Sequence, residues 1–306
     1  MKAYRYLIDE IPAEQWTELT GDGFFASRVY ARLWETMGGR AVAWAVEDQG
    51  KLVSLLPGVE FGRGPWARFQ SMPDGGYGGI FHAREQERDH CEALLLGAID
   101  NRRYLKTFIF DFYGTISRSD GLARETYRTT LVDISAPGWV PPDEKLLSQI
   151  RKAKREGIEV RRFSWDDHHA AFLELVFLSE KRHGQKPRFT PDFFAALARV
   201  AAQDDRIHWL WCEHENRPAC SHIYLIEKGV LQGWQIYFDK AFSFLKPNQY
   251  IRFTMCREAA RNGITRLNLG GSPENAPGLK YYKERWGGES SDYCCHYRKR
   301  GLGKFI

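Results

Sequence analysis

Apolar residues recur at helical spacing in four segments of the second half of the chain. In PPDEKLLSQIRKAKREGIEV they form one helical face, and Gly157 follows at a position typical of a C-terminal cap. Ser164 and Thr190 are residue types that favour helix N-termini, and each precedes a further helical pattern. The fourth pattern, NQYIRFTMCREAARNG, ends at Gly263. These signals predict four helices, with a strand, IEVRRF, after the first of them.

Three β-rich runs follow one another between the third and fourth helices: RIHWLWCE, ACSHIYLIE and VLQGWQIYF. The turns ENRP and KG separate the runs, which is the pattern of an antiparallel meander. Beyond the fourth helix, ITRLNLG has the character of a buried strand, and SDYCCHYR that of a final strand.

The first half of the chain repeats this order of elements. Two helical patterns, IPAEQWTEL and SRVYARLWETM, precede a hairpin around DQG, a helix and the strand LKTFIFDF. The repeat indicates an internal duplication, with a boundary where SAPGWVPP interrupts regular structure. We therefore predict an α+β (α/β) fold of two tandem domains, residues 1–138 and 139–306, each with a mixed, mainly antiparallel sheet flanked by helices.

The composition is that of a globular protein. Hydrophobic residues make up 43% and charged residues 27% of the 306-residue chain. Its mean hydropathy of −0.49 and the lack of an 18-residue apolar run argue against a transmembrane segment. The N-terminus, MKAYRYLIDEIPAEQ, has no apolar core of a signal peptide, so we expect a cytoplasmic protein with reduced cysteines.

The net charge of +5 is concentrated in two segments. Residues 145–162 carry seven basic and two acidic side chains, and residues 280–304 carry seven basic and three acidic ones. Such focused charge suits a phosphate-bearing partner, with Arg151, Lys154 and Arg155 as candidate contacts. The alternative interpretation is a solvated helix face followed by a basic tail.

Standard nucleotide-binding and hydrolase motifs are absent from the sequence, which contains no Walker A loop, no G-x-G-x-x-G and no G-x-S-x-G. The glycine-rich run Gly75-Gly76-Tyr77-Gly78-Gly79 would allow backbone to approach a ligand, which makes Tyr77 a candidate contact. A simple bend is the alternative.

Cysteines and histidines flank the ENRP turn as C-x-H-x5-C-x-H, from Cys212 to His222. If the hairpin pairs residue 212 with residue 222, all four side chains share a face, whereas a slip by one residue turns Cys220 and His222 to the other face. The spacing matches no common zinc pattern, so we predict ordinary packing and no metal site.

The helix beginning at Asn248 follows a strand directly. Unpaired backbone N–H groups and the positive end of the helix dipole make such a start suitable for a pyrophosphate or a carbonyl oxygen. Lys246 and Gln249 lie beside it in the sequence. Alternatively, Pro247 and Asn248 are a plain helix-start signal.

The loop GGSPENAPG, which begins at Gly270 and Gly271, leads into a short basic and aromatic helix. A lysine of that helix, Lys280 or Lys283, held over a strand end could stabilise negative charge developing on an acyl oxygen. The alternative is that Tyr282 and Trp286, four residues apart, form the packing face and leave Lys283 in solvent.

The segment PNQYIRFTMCREAARNGITRLNLGGSPENAPGLKYYKERWGGE resembles the C-terminal signature of the Fem-type (FemABX) aminoacyltransferases and their GNAT-fold relatives. Lys283 matches the lysine of that signature, whereas Asn268 stands for its usual Asp, and Tyr282 and Trp286 stand for Phe. RKAKREGIEV and FLELVFLSEKRHGQKPRFTPDFFAAL resemble two further parts of the family, so the resemblance covers most of residues 145–290.

The resemblance implies two tandem GNAT-like domains that transfer an acyl group to an amine by direct attack. The implied donor is aminoacyl-tRNA or acyl-CoA, and the acceptor is a cell-envelope or exopolysaccharide precursor. Two departures stand against details of this picture. The family's N-terminal phosphate-binding lysine has no match in SRVYARLWETMGG, and the CoA-binding loop of many GNAT enzymes is absent.

By this resemblance, Lys283 stabilises the oxyanion beside the helix start at Asn248, and Tyr282 and Trp286 shape the pocket. No tightly bound cofactor is expected, and peripheral contact with a membrane is left open. Two alternative functions remain: an acetyl-CoA-dependent N-acetyltransferase of small molecules, and a non-catalytic tRNA- or RNA-binding module.

Overall fold

The computed structural model describes residues 1–74, 77–118, 121–273 and 275–301, so Gly75 and Gly76 of the glycine-rich run lie outside the described residues. Contacts divide the chain into two compact units, Met1–Tyr127 with Asp292–Ile306, and Arg128–Ser291. We call them unit 1 and unit 2. The boundary between residues 138 and 139 stays a prediction. The contacts divide the chain between Tyr127 and Arg128, and again between Ser291 and Asp292, where the last strand begins to pair with unit 1.

Unit 1 is a sheet with helices packed on it. Its elements are β1 (Lys2–Leu7), α1 (Ala13–Thr20), α2 (Arg28–Leu33), β2 (Gly39–Asp48), β3 (Lys51–Phe61), β4 (Arg68–Ser71), β5 (Phe81–His82), α3 (Arg88–Arg102) and β6 (Lys106–Asp111). Neighbouring strands are antiparallel except β4 and β6, which are parallel. The last strand of the chain pairs antiparallel with β6 through Cys294–Lys299.

The core of unit 1 forms between its central hairpin and α3. Trp44 and Leu56 from the central hairpin pack with Leu95 and Ile99 of α3, all almost fully buried. Residues 41–46 of β2 and 53–60 of β3 are buried without interruption, so the central hairpin is covered on both faces.

Unit 2 contains the elements that the second half of the sequence predicts. They are α4 (Glu144–Arg155), β8 (Glu159–Arg162), α5 (Trp165–Arg182), α6 (Pro191–Ala201), β9 (Ile207–His214), β10 (Arg217–Glu227), β11 (Val230–Phe238), α7 (Pro247–Arg261), β12 (Arg266–Gly271), α8 (Pro277–Glu284) and β13 (Gly288–Lys299), which belongs to unit 1 from Asp292 onward. An unpredicted strand, β7 (Ala123–Asp133), belongs to unit 2 from Arg128 onward. The strand order is β7-β12-β11-β10-β9-β8. The mixed, mainly antiparallel fold is thus confirmed. Within the described ranges, none of the helices has the length and apolar character needed to cross a membrane.

Local capping explains where the helices of unit 2 begin. The side chains of Ser164 and Thr190 accept hydrogen bonds from the backbone N–H groups of Asp167 and Phe193, as the sequence predicts. Asp143 caps α4 in the same way, through the N–H of Leu146.

One irregularity of the sheet lies at the carboxyl ends of its two parallel strands. The parallel strands β11 and β12 pair at three positions, ending at Gln232 and Asn268, although each strand continues beyond that point. Trp234 is an extra residue in β11, a β-bulge that shifts its register against β10. Bulges bend a strand and are common beside active sites. The two parallel strands therefore part at their carboxyl ends, where α/β proteins commonly bind ligands.

Candidate active site

The end of β12 is fixed by the side chain of Asn268. Its buried amide oxygen accepts a hydrogen bond from the hydroxyl of Thr129 at 2.5 Å and another from the backbone N–H of Gly270 at 2.8 Å. Gly270 has a φ of +75°, which glycine adopts without steric cost. The register of β12 against β7 therefore shifts between Asn268 and Gly271, a β-bulge in the last residues of the strand.

Lys283 of α8 binds these carbonyl groups. Its Nζ donates to the backbone oxygens of Gly270 at 2.7 Å and Gly271 at 2.6 Å. Only 4% of the side chain is exposed, so the alternative that left Lys283 in solvent is wrong. A lysine ammonium has three N–H groups, and the two carbonyls use two of them. One position on Nζ remains for a substrate.

The charge state of Lys283 is set by its surroundings. Burial, and after it the positive charge of Arg252, lowers the pKa of Lys283 to about 8. Both the ammonium and the neutral amine are therefore populated near neutral pH.

Arg252 of α7 is the second buried cation of this region. It is 5% exposed, and its Nη1 donates to the hydroxyl of Tyr282 at 2.8 Å. Its guanidinium carbon lies 5.3 Å from the ring centre of Tyr282 and 5.4 Å from that of Trp286. Among the residues that the structure describes, no carboxylate forms an ion pair with Arg252 or with Lys283. No sequence motif singles out Arg252, although its position four residues after Asn248 places both on one helix face.

A chain of buried polar groups runs from Arg252 to the start of α7. The ring nitrogens of His222 lie 2.8 Å from the hydroxyl of Tyr224 and 2.9 Å from the amide oxygen of Asn248. Burial, with a smaller effect of Arg252, lowers the pKa of His222 to about 3, so the imidazole is neutral. Because an amide oxygen only accepts, Nε2 of His222 donates to it, and Nδ1 accepts from Tyr224. The NH2 group of Asn248 takes no part in this contact.

The first turn of α7 begins at a strained residue. Lys246 has a left-handed backbone, with a φ of 61°, and its carbonyl accepts the N–H groups of Gln249 at 3.2 Å and Tyr250 at 3.3 Å. Lys246 and Gln249 are half-buried. This geometry satisfies part of the helix start internally, so binding of a pyrophosphate there stays a prediction.

The other predicted residues have different environments. Trp286 is fully buried and stacks on Trp139, with ring centres 6.3 Å apart, so it belongs to the core of unit 2. Tyr282 is half-buried. The exposed Lys280 lies 3.9 Å from Glu284. The basic residues predicted on α4 are all exposed: Arg151, Lys154 and Arg155.

Tyr77 belongs to unit 1, where it is 1% exposed and stacks on Phe25 with ring centres 5.0 Å apart. Its role in substrate binding stays a prediction.

The cysteines and histidines around the ENRP turn serve packing and hydrogen bonding. Cys220 pairs with Cys212 across the hairpin, and both are buried. His222 is bonded to Tyr224 and Asn248, and His214 lies against Phe242. In the described ranges, no three side chains of the kinds that bind metals are grouped together.

Comparison with known proteins shows what this region is similar to. Residues 144–284 match the family model of the acetyltransferase (GNAT) domain. The match runs from α4 to the end of α8 and so includes His222, Asn248, Arg252 and Lys283. The predicted resemblance to GNAT-fold acyltransferases is confirmed for this part of the chain. No match was found among curated protein sequences.

Solved structures extend the likeness of fold to almost the whole chain. FemX is 13% identical, with a TM-score of 0.71 over 96% of this chain and 97% of that one. The C-terminal domain of a putative lysylphosphatidylglycerol synthetase from Agrobacterium fabrum is 10% identical, with a TM-score of 0.65 over 96% and 93%. A tandem GNAT protein from the clavulanic acid biosynthesis pathway is 12% identical, with a TM-score of 0.60 over 98% and 99%. The tandem GNAT-like fold is therefore confirmed.

Proposed function

We propose that this protein transfers an aminoacyl or acyl group to an amine of a cell-envelope or exopolysaccharide precursor. The observation that carries the proposal is the buried Lys283, held at the end of β12 beside the opening between β11 and β12. Folds similar to FemX and to a lysylphosphatidylglycerol synthetase support aminoacyl transfer, and the GNAT domain supports acyl transfer in general.

In this proposal the acceptor amine attacks the donor carbonyl directly. Burial raises the pKa of Cys256 to about 12, so its thiol is not a nucleophile at neutral pH. The free position on Nζ of Lys283 and the amide NH2 of Asn248 stabilise the oxyanion. Gly270 and Gly271 bring backbone close to the reacting group.

Exposed basic side chains of α4 supply the contacts for a phosphate-bearing substrate. Arg151, Lys154 and Arg155 form an exposed row on α4 that suits the phosphates of tRNA, CoA or an envelope precursor. Further polar contacts come from Lys280 of α8 and from Lys246 and Gln249 at the start of α7. Tyr282 and Trp286 shape the pocket.

The test is transfer from two donors, acetyl-CoA and a mixture of aminoacyl-tRNAs, to an amine. Loss of Lys283 as an oxyanion donor is expected to lower kcat by about 10²–10³, measured with Lys283→Ala. Lys186→Ala, which removes an exposed lysine from the loop before α6, is the matched control and should retain full activity.

The donor identifies which form of the proposal holds. Transfer from acetyl-CoA to small amines would favour the small-molecule N-acetyltransferase, which the full-length likeness to a tandem GNAT fold supports. Salt-sensitive binding of tRNA without transfer from either donor would contradict the enzyme and favour a binding module.

A further inference from the structure

Acyl transfer to an amine requires a group that moves a proton. Attack by a neutral amine leaves a positive charge on its nitrogen, and the departing oxygen or sulfur needs a proton. The site must therefore contain a group that can accept a proton and give it back within hydrogen-bond reach.

The polar groups along the opening between β11 and β12 offer few such groups. Both ring nitrogens of His222 are occupied by Tyr224 and Asn248, and the pKa of His222 is far below neutral because of its burial. Burial raises the pKa of Tyr224 and of Cys256, so both stay protonated. Within the described neighbourhood of Lys283, no carboxylate is paired with it.

We propose that Lys283 is the proton shuttle of this site, and that it stabilises the oxyanion only after it has taken the proton of the attacking nitrogen. Its neutral amine takes the proton from the attacking nitrogen and then delivers it to the leaving oxygen or sulfur. This inference rests on the proposed acyl transfer and goes beyond it by assigning the acid–base group.

The two hydrogen bonds from Lys283 to backbone carbonyls fix the position at which Nζ would exchange a proton. A neutral amine has two N–H groups and one lone pair, and Gly270 and Gly271 accept two N–H groups. The lone pair then occupies the remaining position on Nζ. In the protonated state the third N–H occupies that same position, so the proton is gained and lost at one fixed place without breaking either bond.

The steps balance without any further reactant. The nitrogen lone pair of the acceptor forms the new C–N bond, and the π electrons of the carbonyl move to its oxygen. Lys283 takes one proton from the resulting ammonium nitrogen. Collapse of the intermediate restores the carbonyl and breaks the C–O bond of an ester or the C–S bond of a thioester. The leaving atom receives the proton from Lys283, and the amine is neutral again.

Arg252 is a positioning residue for this shuttle. It holds Tyr282, the neighbour of Lys283 on α8, by a hydrogen bond, and its fixed positive charge favours the neutral amine of Lys283. The other charged groups of the packed elements do not oppose it. From β10 come neutral His222 and protonated Tyr224, and the charge of Arg285 on α8 is balanced by Asp143 at 2.9 Å.

The direction of the pH profile separates the shuttle from an oxyanion donor alone. A shuttle needs the neutral amine, so the rate should rise as the pH increases through about 8 and then level off. A lysine that only stabilises the oxyanion needs its proton, so the rate would fall over the same range.

The assay uses acetyl-CoA and aminoacyl-tRNAs as donors and hydroxylamine, an amine that is unprotonated at neutral pH, as the acceptor probe. The uncatalysed reaction is subtracted. Lys283→Arg keeps the positive charge but cannot release a proton, so it should lose about 10²–10⁴ of the rate. Arg252→Met should move the rising limb to higher pH because the neighbouring charge is gone, and Arg252→Lys should leave the limb near its original position.

A measurement that needs no substrate complements the kinetics. Nuclear magnetic resonance of protein labelled at its lysines, titrated with pH, should show one lysine with a strongly lowered pKa. That signal should be missing in Lys283→Arg and shifted upward in Arg252→Met, which covers the case that a Lys283 variant does not fold.

The outcomes distinguish the two levels of the argument. Three results would overturn the shuttle: a rate that falls as the pH increases, activity of Lys283→Arg within tenfold of the parent, or an ordinary pKa for Lys283. Each of them would leave acyl transfer standing. No turnover of either donor would overturn the proposed function and the shuttle with it, whatever the pKa of Lys283.

Discussion

The hydrogen bond between Arg252 and Tyr282 should hold α8 against α7. Tyr282→Phe removes the hydroxyl that accepts from Nη1 of Arg252 at 2.8 Å and keeps the ring that lies 5.3 Å from the guanidinium. The variant therefore removes one acceptor from a buried cation whose Nε already has no partner.

The magnitude follows from the burial of the donor. A hydrogen bond to a charged group contributes about 1.5–3 kcal/mol, and an unpaired buried donor forfeits that amount because water does not replace the lost acceptor. The cation–π contact, worth about 0.5–1 kcal/mol, is retained. We expect Tyr282→Phe to lower the free energy of unfolding by about 2 kcal/mol, which for a unit of this size is a Tm decrease of about 4–8 °C.

Urea unfolding followed by tryptophan fluorescence and thermal unfolding followed by circular dichroism measure this loss. The matched control is Tyr281→Phe, because Tyr281 is the preceding residue of α8 and is 61% exposed. Its effect should stay within about 0.5 kcal/mol. If the two variants were equally stable, the Arg252 contact would not fix α8, and the positioning of Lys283 would need another cause.

Two further predictions concern the core and the basic face. Trp286→Ala removes a fully buried ring stacked on Trp139 and should lower the free energy of unfolding by about 3–5 kcal/mol. The control Trp66→Ala, at a 55% exposed position, should change the free energy of unfolding little, and urea titration measures both variants. Replacement of Arg151, Lys154 and Arg155 by glutamine should reduce the dependence of log Kd for tRNA on log salt by about two to three, measured by filter binding over a salt series, and an unchanged slope would remove α4 from the phosphate contacts.

Sequence alone determined the elements of unit 2 because their signals are local. The apolar spacing of α4, the capping side chains of Ser164 and Thr190, and the turns of the β9–β11 meander each act within a few residues of the chain. The lysine of the short helix after the glycine loop was also identified from its sequence context. The roles assigned to it and to the other candidate residues stay predictions.

Tertiary structure decided what those elements do together. The burial of Lys283 depends on the carbonyls of Gly270 and Gly271. These residues lie at a β-bulge of β12, where Asn268 bonds Thr129 of β7, a strand far away in sequence. Helical spacing alone allowed Lys283 to face solvent, because the spacing describes a face and not what covers it.

The same limit applies to the partners across the sheet. The register of β9 and β10 places Cys212 opposite Cys220. His222 forms hydrogen bonds with Tyr224 and Asn248 instead. Arg252 looked like an ordinary helix residue, and its unpaired buried charge emerges only when α7, α8 and β10 pack together. Local sequence patterns determined the helices and strands of this protein. The tertiary structure determined the burial and the charge state of their polar side chains, because long-range packing sets both.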